Sequence, residues 1–472
     1  MTDTDPCFLP ANEALTLFQT KELSPVELLD ALIQRIESTE PTINAVCDRR
    51  YDEARAEAAA SATRYAGSGD PPRPLDGIPV AAKEEQPMVG RVNSYGSLAY
   101  ADHIATETHP MLQRIQAAGG IIHIRTTTPE FSCAAFTHSK LWGITRNPWN
   151  TDFTPGGSSG GSGAALAAGY APMATGSDIG GSIRIPASFC GVVGFKPPYG
   201  RVPAMPPFNL DQYCHDGPMA RTVADAALLT NVTAGRHPHD IVSLPAPPHL
   251  SLQPGSVDDL RVALCVQLGD HPIEPEVEAN TRRAANVFES MGATVVEVEL
   301  PWTVQQVYAA ARAHFGGIFG PSVAHDFEVH GDLLTTYAQA FARDMTSPIS
   351  FIDGLAIEGQ MYRALGTLFE DFDALICPTM GTTGFRAGDD YVDSEFVVNG
   401  VTVPNYVFAA LTPPFNIASR CPVISVPSGL ADNGVPTGLQ IVGRTYDDPT
   451  TFRLALAYEA ALGGFPHAPV SA

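Results

Sequence analysis

The sequence predicts an α/β fold: a single large domain whose central mixed, mostly parallel β-sheet is covered by helices on both faces. Three observations carry that expectation. Short apolar runs alternate with segments of helical periodicity along most of the chain. An apolar share of 44 % over 472 residues supplies a sizeable core. No low-complexity or highly charged linker divides the chain, and the nearest candidates, 67–74 and 245–254, have the length of ordinary surface loops.

Residues 1–70 read as helices. Ser24-Pro25-Val26-Glu27 is a capping box with proline at the first helical position, and Val26, Leu29, Ala31, Leu32 and Ile36 follow at helical spacing. An alanine-rich helix is expected over about 54–66. The pattern then alternates: 78–82 is a buried strand, 110–118 a helix and 121–124 another strand. A further helix begins at 164–168, straight after a glycine-rich turn. Later, 261–267 and 294–300 read as strands around a helix over 275–291. Short apolar strands follow at 375–377, 423–426 and 438–442, and a helix over 450–461 closes the pattern. The stretch 302–405 is less regular and richer in aromatics, and no internal repeat is present.

Composition excludes several function classes. A formal net charge of −23 repels phosphate backbones and anionic membranes at a distance, so no nucleic-acid partner is expected. No run approaches the roughly 18 apolar residues of a membrane span, so no membrane partner is expected either. The acidic start, Met1 to Pro6, lacks the basic and apolar regions of a signal peptide. The eight cysteines are scattered without a Cys-x-x-Cys pair, which favours free thiols and a cytoplasmic location. No Cys/His cluster has metal-ligand spacing and no dinucleotide fingerprint occurs, so neither metal nor cofactor is expected.

The informative feature is a pair of glycine nests. Ser158 lies in Pro155-Gly-Gly-Ser-Ser-Gly-Gly-Ser-Gly163 and Ser182 in Asp178-Ile-Gly-Gly-Ser-Ile-Arg184. Nests of this kind display backbone N–H groups. The first lacks the Gly-Lys-Ser/Thr ending of a nucleotide P-loop. It does match the Gly-x-Ser-x-Gly elbow, with Ser159 as nucleophile, but that elbow must follow a buried strand, and Arg146 to Asp152 is polar and interrupted by Pro148. A third element, Gly77-Ile-Pro-Val-Ala-Ala-Lys83, places a lysine at the end of an apolar strand, where burial disfavours its charged form.

Together these pieces resemble the amidase signature family, which carries a lysine after an apolar strand and two such nests. The 75 residues from Lys83 to Ser158 and the 24 from Ser158 to Ser182 fit its pattern. The likeness extends through Arg125-Thr-Thr-Thr-Pro-Glu-Phe131, Trp142-Gly-Ile-Thr-Arg-Asn-Pro-Trp149 and Ile185-Pro-Ala-Ser-Phe-Cys-Gly-Val-Val-Gly-Phe-Lys-Pro197. It resumes at Cys421-Pro-Val-Ile-Ser-Val-Pro-Ser-Gly429 and Gly438-Leu-Gln-Ile-Val-Gly-Arg444. The resemblance implies one amidase signature domain over 1–472. Within it, about 75–200 forms the catalytic core, about 245–405 a variable substrate-shaping region, and 406–472 the C-terminal part of the core.

The resemblance further implies a Ser–Ser–Lys triad in which Ser182 attacks the scissile carbonyl and Ser158, after a cis Gly157–Ser158 peptide, relays its proton to Lys83. The amides of Ile179, Gly180, Gly181 and Ser182 would form the oxyanion hole. Asp178 and Arg184 would brace the loop as an ion pair, and Ser132 matches a loop that lines the substrate site in relatives. The base role needs Lys83 neutral. Burial favours that, whereas Glu84 and Glu85 oppose it if they point inward, and in an extended strand Glu85 shares a side with Lys83. His123, His138 and His215 read as ordinary core or surface histidines.

The family includes the A-type component of the tRNA-dependent amidotransferase, which usually carries a Ser-x-Asn-Leu-x-Arg-Tyr-Asp-Gly stretch in its middle third. The corresponding region here, around 308–323, lacks it. The expectation is a stand-alone hydrolase, monomer or homodimer, acting on a small amide or ester that is neutral or partly apolar, with aryl amides and carbamates included. The alternatives are glutaminase activity as a component of an amidotransferase, and a non-catalytic interaction protein. Phe131, Tyr308, Phe315, Phe319, Tyr337 and Tyr391 could line an acyl pocket or belong to the core.

Overall fold

The structure, a computed structural model, describes residues 5–345, 347 and 349–470. Eleven strands form one sheet: β1 (Val46–Arg49), β2 (Pro79–Lys83), β3 (Ile121–Thr126), β4 (Met173–Asp178), β5 (Val193–Lys196), β6 (His215–Ala220), β7 (Arg261–Leu264), β8 (Thr294–Glu297), β9 (Ala374–Pro378), β10 (Val423–Leu430) and β11 (Pro436–Gly443). Their spatial order is β1-β3-β2-β4-β6-β5-β10-β11-β9-β7-β8. The sheet is mixed. Parallel pairing joins β3, β2 and β4 on one flank and β9, β7 and β8 on the other. Antiparallel pairing runs through the centre, from β4 across β6, β5, β10 and β11 to β9, and attaches β1 at the edge. The parallel strands are joined by helical crossovers, whereas β10 and β11 are close enough in sequence to form a hairpin.

Strand parity puts helices on both faces. From one side, Val262, Leu264, Ile376, Ile424 and Ile441 pack against Phe288, Phe452 and Tyr458 of the helices Pro275–Ser290 and Asp448–Leu462. From the other, Ala263, Leu375, Cys377, Val423 and Val442 meet Trp302 and the helix Phe351–Asp371 through Met361, Leu365 and Phe369. The same alternation splits the opposite flank, with Ala81, Ile124 and Ala174 facing one cluster and Val80, Ile122 and Met173 another. The capping box at Ser24 forms as expected, starting the helix Pro25–Ile43.

Three central strands escape the sequence reading. Between them β4, β5 and β6 carry Gly, Pro, Asp and Lys, residues depleted in strands. Pro218 is tolerated because the β6–β5 ladder covers only Met219 and Ala220, so the proline lies past its end. The helix expected from Ala164 begins earlier, at Gly160, inside the first nest. No helix of the described residues is long and apolar enough to cross a membrane.

Candidate active site

The chemistry gathers at the carboxyl ends of two neighbouring parallel strands. β2 pairs with β4 in register Val80 to Met173 and Ala81 to Ala174, so Lys83 and the Ser177–Asp178 pair emerge at the same edge. The first nest opens the helix Gly160–Ala167 and the second leads into the helix Arg184–Cys190. The nests interlock: the Ser159 amide donates to the Ser182 carbonyl at 3.1 Å. The Gly157–Ser158 peptide is cis, as the resemblance implies. Glycine is required at 157, because a Cβ would stand 2.3 Å from the Phe136 carbonyl oxygen and 2.6 Å from its nitrogen.

Lys83 is fully buried, and its Nζ has three polar neighbours. Ser158 Oγ lies at 2.7 Å, Ser177 Oγ at 2.8 Å and Glu85 Oε2 at 2.6 Å. The Lys83 backbone amide donates to Thr175 Oγ1 at 3.0 Å. Thr175 and Ser177 occupy alternate positions of β4, so their side chains lie on the same face of the sheet. Glu85 does point inward, and the Ser177 hydroxyl donates to its carboxylate at 3.1 Å. The Ser132 hydroxyl also donates to Glu85, from a loop in which Phe131 and Ser132 have left-handed φ of 52° and 55°. Glu84 turns the other way and accepts from the Ser94 amide.

In the second nest, Ser182 keeps 8 % of its surface exposed. Asp178 organises the turn. Its carboxylate accepts from the Gly181 amide at 2.8 Å and the Ile183 amide at 3.2 Å, and pairs with Arg184 through two contacts of 2.9 Å. Burial pushes the Asp178 carboxyl up, but Arg184 and Asn416 more than offset this and hold it well below the ordinary range. Arg184, fully buried, also donates to Thr412 O, Gln440 Oε1 and Asn416 Oδ1. The ion pair expected from the sequence is therefore present. Of the four amides expected to form an oxyanion hole, that of Gly181 is committed to Asp178. The amides of Ile179, Gly180 and Ser182 have no acceptor among the described residues. Gly181 has φ +127°, and a Cβ there would stand 2.1 Å from Thr412 Oγ1.

Ser159 does not suit an elbow nucleophile. It is buried, accepts from the Ser177 amide and donates to the Ser177 carbonyl. His123 is buried with Nε2 on the Tyr170 carbonyl, His138 stacks on Phe136, and His215 is a core residue whose imidazole burial and Lys196 push down to about 3. Of the aromatics considered for a pocket, Phe315 is half-buried and its ring lies 3.8 Å from where a Gly180 Cβ would stand, while Phe131 adjoins Ser132. Phe319 and Tyr337 are core, and Tyr308 stacks on Phe408. An apolar groove of about 520 Å³, lined by Trp149, Val287, Tyr458 and Phe465 among others, contains none of these site residues. The sequence reading missed Ser177, whose strand escapes it, and Thr412, Asn416 and Gln440, which no local signal marks.

Known proteins resemble the chain over nearly its whole length. The family described as Amidase matches residues 27–452. The chain is 35 % identical to the A-type component of the glutamyl-tRNA(Gln) amidotransferase of Chloroflexus aggregans, covering 97 % of each. It is 32 % identical to an acylamidase of Rhodococcus erythropolis over 98 % of this chain and 97 % of that one. The crystal structure of a bacterial aryl acylamidase superposes with a TM-score of 0.88 at 29 % identity, covering 96 % of both chains. This chain belongs to the amidase signature family, whose members act on C–N bonds.

Proposed function

We propose that this protein is an amidohydrolase that cleaves the C–N bond of a small, neutral or partly apolar amide through an acyl-enzyme on Ser182. The observation that carries the reading is the 2.7 Å contact between a fully buried Lys83 Nζ and Ser158 Oγ, beside a second nest with unpartnered amides. An unassisted serine hydroxyl is a poor nucleophile and needs an adjacent base. In this reading Ser182 Oγ bonds to the carbonyl carbon as its proton passes to Ser158, whose own proton passes to the neutral Lys83 amine. The carbonyl oxygen becomes an oxyanion against the amides of Ile179, Gly180 and Ser182; one such donor is typically worth about 3–4 kcal/mol of barrier. As the C–N bond breaks, the proton returns through Ser158 to the leaving amine. Water then repeats the sequence on the ester. Phe315, beside Gly180, supports an apolar acyl group, aryl amides included.

The test is Lys83→Ala together with Ser182→Ala, assayed on p-nitroanilides, aliphatic amides, carbamates and esters. Removing a positioned general base costs about 10²–10⁴-fold, so Lys83→Ala is expected to lose turnover by that factor while unfolding like the wild type. Ser182→Ala is expected to lose fluorophosphonate labelling. Wild-type turnover in Lys83→Ala refutes the triad.

The 35 % identity to an amidotransferase component favours a second reading, a glutaminase within a larger assembly. It predicts glutamine hydrolysis that appears only with partner proteins, and selective turnover of apolar amides by the isolated chain excludes it.

A further inference from the structure

The triad leaves Glu85 without a role, although its carboxylate touches the same nitrogen as Ser158. Glu85 Oε2 is 2.6 Å from Lys83 Nζ, and its side chain retains 29 % exposure whereas that of Lys83 has none. Two hydroxyls hold the carboxylate. Ser177 Oγ lies 3.2 Å from Oε1 and 3.1 Å from Oε2, and Ser132 Oγ reaches Oε2. Ser132 also meets Thr128 Oγ1 at 3.0 Å.

The directions of these bonds follow from the donor inventory. An ionised carboxylate only accepts, so Ser177 and Ser132 must donate to Glu85. Having spent its one proton there, Ser177 can only accept from Lys83 at 2.8 Å. One Lys83 N–H therefore goes to Ser177 and another to Glu85. A neutral amine has two N–H groups and one lone pair, and the only neighbour left for the lone pair is Ser158 at 2.7 Å.

We propose that Glu85 is a positioning residue for the relay, turning the Lys83 lone pair onto Ser158 and holding the ammonium that forms when the proton arrives. This rests on the triad reading above. The proton count is unchanged: the proton leaving Ser182 displaces one from Ser158 onto Nζ, Glu85 stays ionised throughout, and the same proton later leaves with the amine. Other charged or titratable groups surround the cluster. Asp216 lies nearby, bound by Gln86 at 2.6 Å and by His109 at 3.3 Å. Tyr95 and Cys214 lie near Glu85, and Glu84 faces away toward Ser94 and Arg125. Among the described residues, Glu85 is the only carboxylate in contact with Nζ.

The experiment compares pH profiles of kcat/KM for the wild type, Glu85→Gln, Glu85→Asp and Lys83→Ala, with unfolding curves for each. Glu85→Gln removes the carboxylate that touches Nζ, so it is expected to move the acid limb to lower pH. Its plateau kcat is expected to fall by up to about 10²-fold through lost orientation, with KM little changed. Glu85→Asp keeps the charge and is expected to restore the acid limb toward the wild-type position. An acid limb unmoved in Glu85→Gln, with Lys83→Ala inactive, overturns the Glu85 assignment alone. Retained turnover in Lys83→Ala overturns both readings.

Discussion

Replacing Arg184 by methionine removes the cation beneath the second nest while nearly conserving volume. Arg184 has no exposed surface and donates to Asp178 twice, to Thr412 O, to Gln440 Oε1 and to Asn416 Oδ1. Asp178 would keep the Gly181 and Ile183 amides and the Asn416 side chain but lose its only cationic partner among the described residues. Breaking a buried pair from one side costs about 3–5 kcal/mol. The stranded acceptors add to this, though not additively, since they share one network. With an unfolding entropy of roughly 2 cal/mol/K per residue, 472 residues give about 1 kcal/mol/K, so the melting temperature should fall by about 3–5 °C. Because Asp178 pins two amides of the turn, kcat/KM should fall as well, by up to about 10²-fold. The informative control is Asp178→Asn in the same background. With no unpaired charge left to bury, the double variant should be more stable than Arg184→Met alone, as read by urea unfolding. Additive losses in that cycle, or an Arg184→Met variant as stable as the wild type, would refute the view that the nest is held by a buried charge.

Two further outcomes are expected. Lys196 is fully buried, and burial, aided by Arg184, pushes its amine from 10.5 down to about 7. The unfolded chain therefore binds the extra proton between those values, so stability is full above about 10.5 and is lost as the pH falls to about 7. Lys196→Met should flatten the slope of stability against pH in that window by up to about 1.4 kcal/mol per unit; identical slopes in the two proteins would count against it. Phe315→Ala should raise KM for aryl amides by about ten-fold while altering small aliphatic amides less, since only the larger acyl groups reach the ring. Equal losses on both substrate classes would remove Phe315 from the pocket.

The legible parts of the fold were those where one physical signal dominates. β3, β9 and the first half of β10 are apolar runs, and the sequence marks them as buried strands. β4 and β6 lie in the middle of the same sheet yet carry no strand pattern. Their Gly176, Gly217 and Pro218 allow close backbone approach, and a Cβ on Gly217 would stand 2.3 Å from the Phe195 carbonyl. Tight packing of backbone on backbone leaves no hydrophobic pattern to read. In the site, Lys83, Ser158 and Ser182 were legible because nests and an apolar approach announce them locally. Thr412, Asn416 and Gln440, which hold Arg184 from 228 to 256 residues away, are fixed by tertiary structure alone.

Glu85 lies between these cases, and it shows what sequence could and could not deliver. Parity placed it on the same side as Lys83, where it reads only as opposing the neutral base that burial favours. Its place in the proposed relay depends on two hydroxyls that parity does not supply, Ser177 from β4 and Ser132 from the left-handed loop after Pro129. With both donating to Glu85, Ser177 is left only as an acceptor, and the hydrogen-bond directions around Nζ follow without further choice. In the proposed relay, a carboxylate that charge alone would set against a basic lysine is, through geometry, the group that aims it.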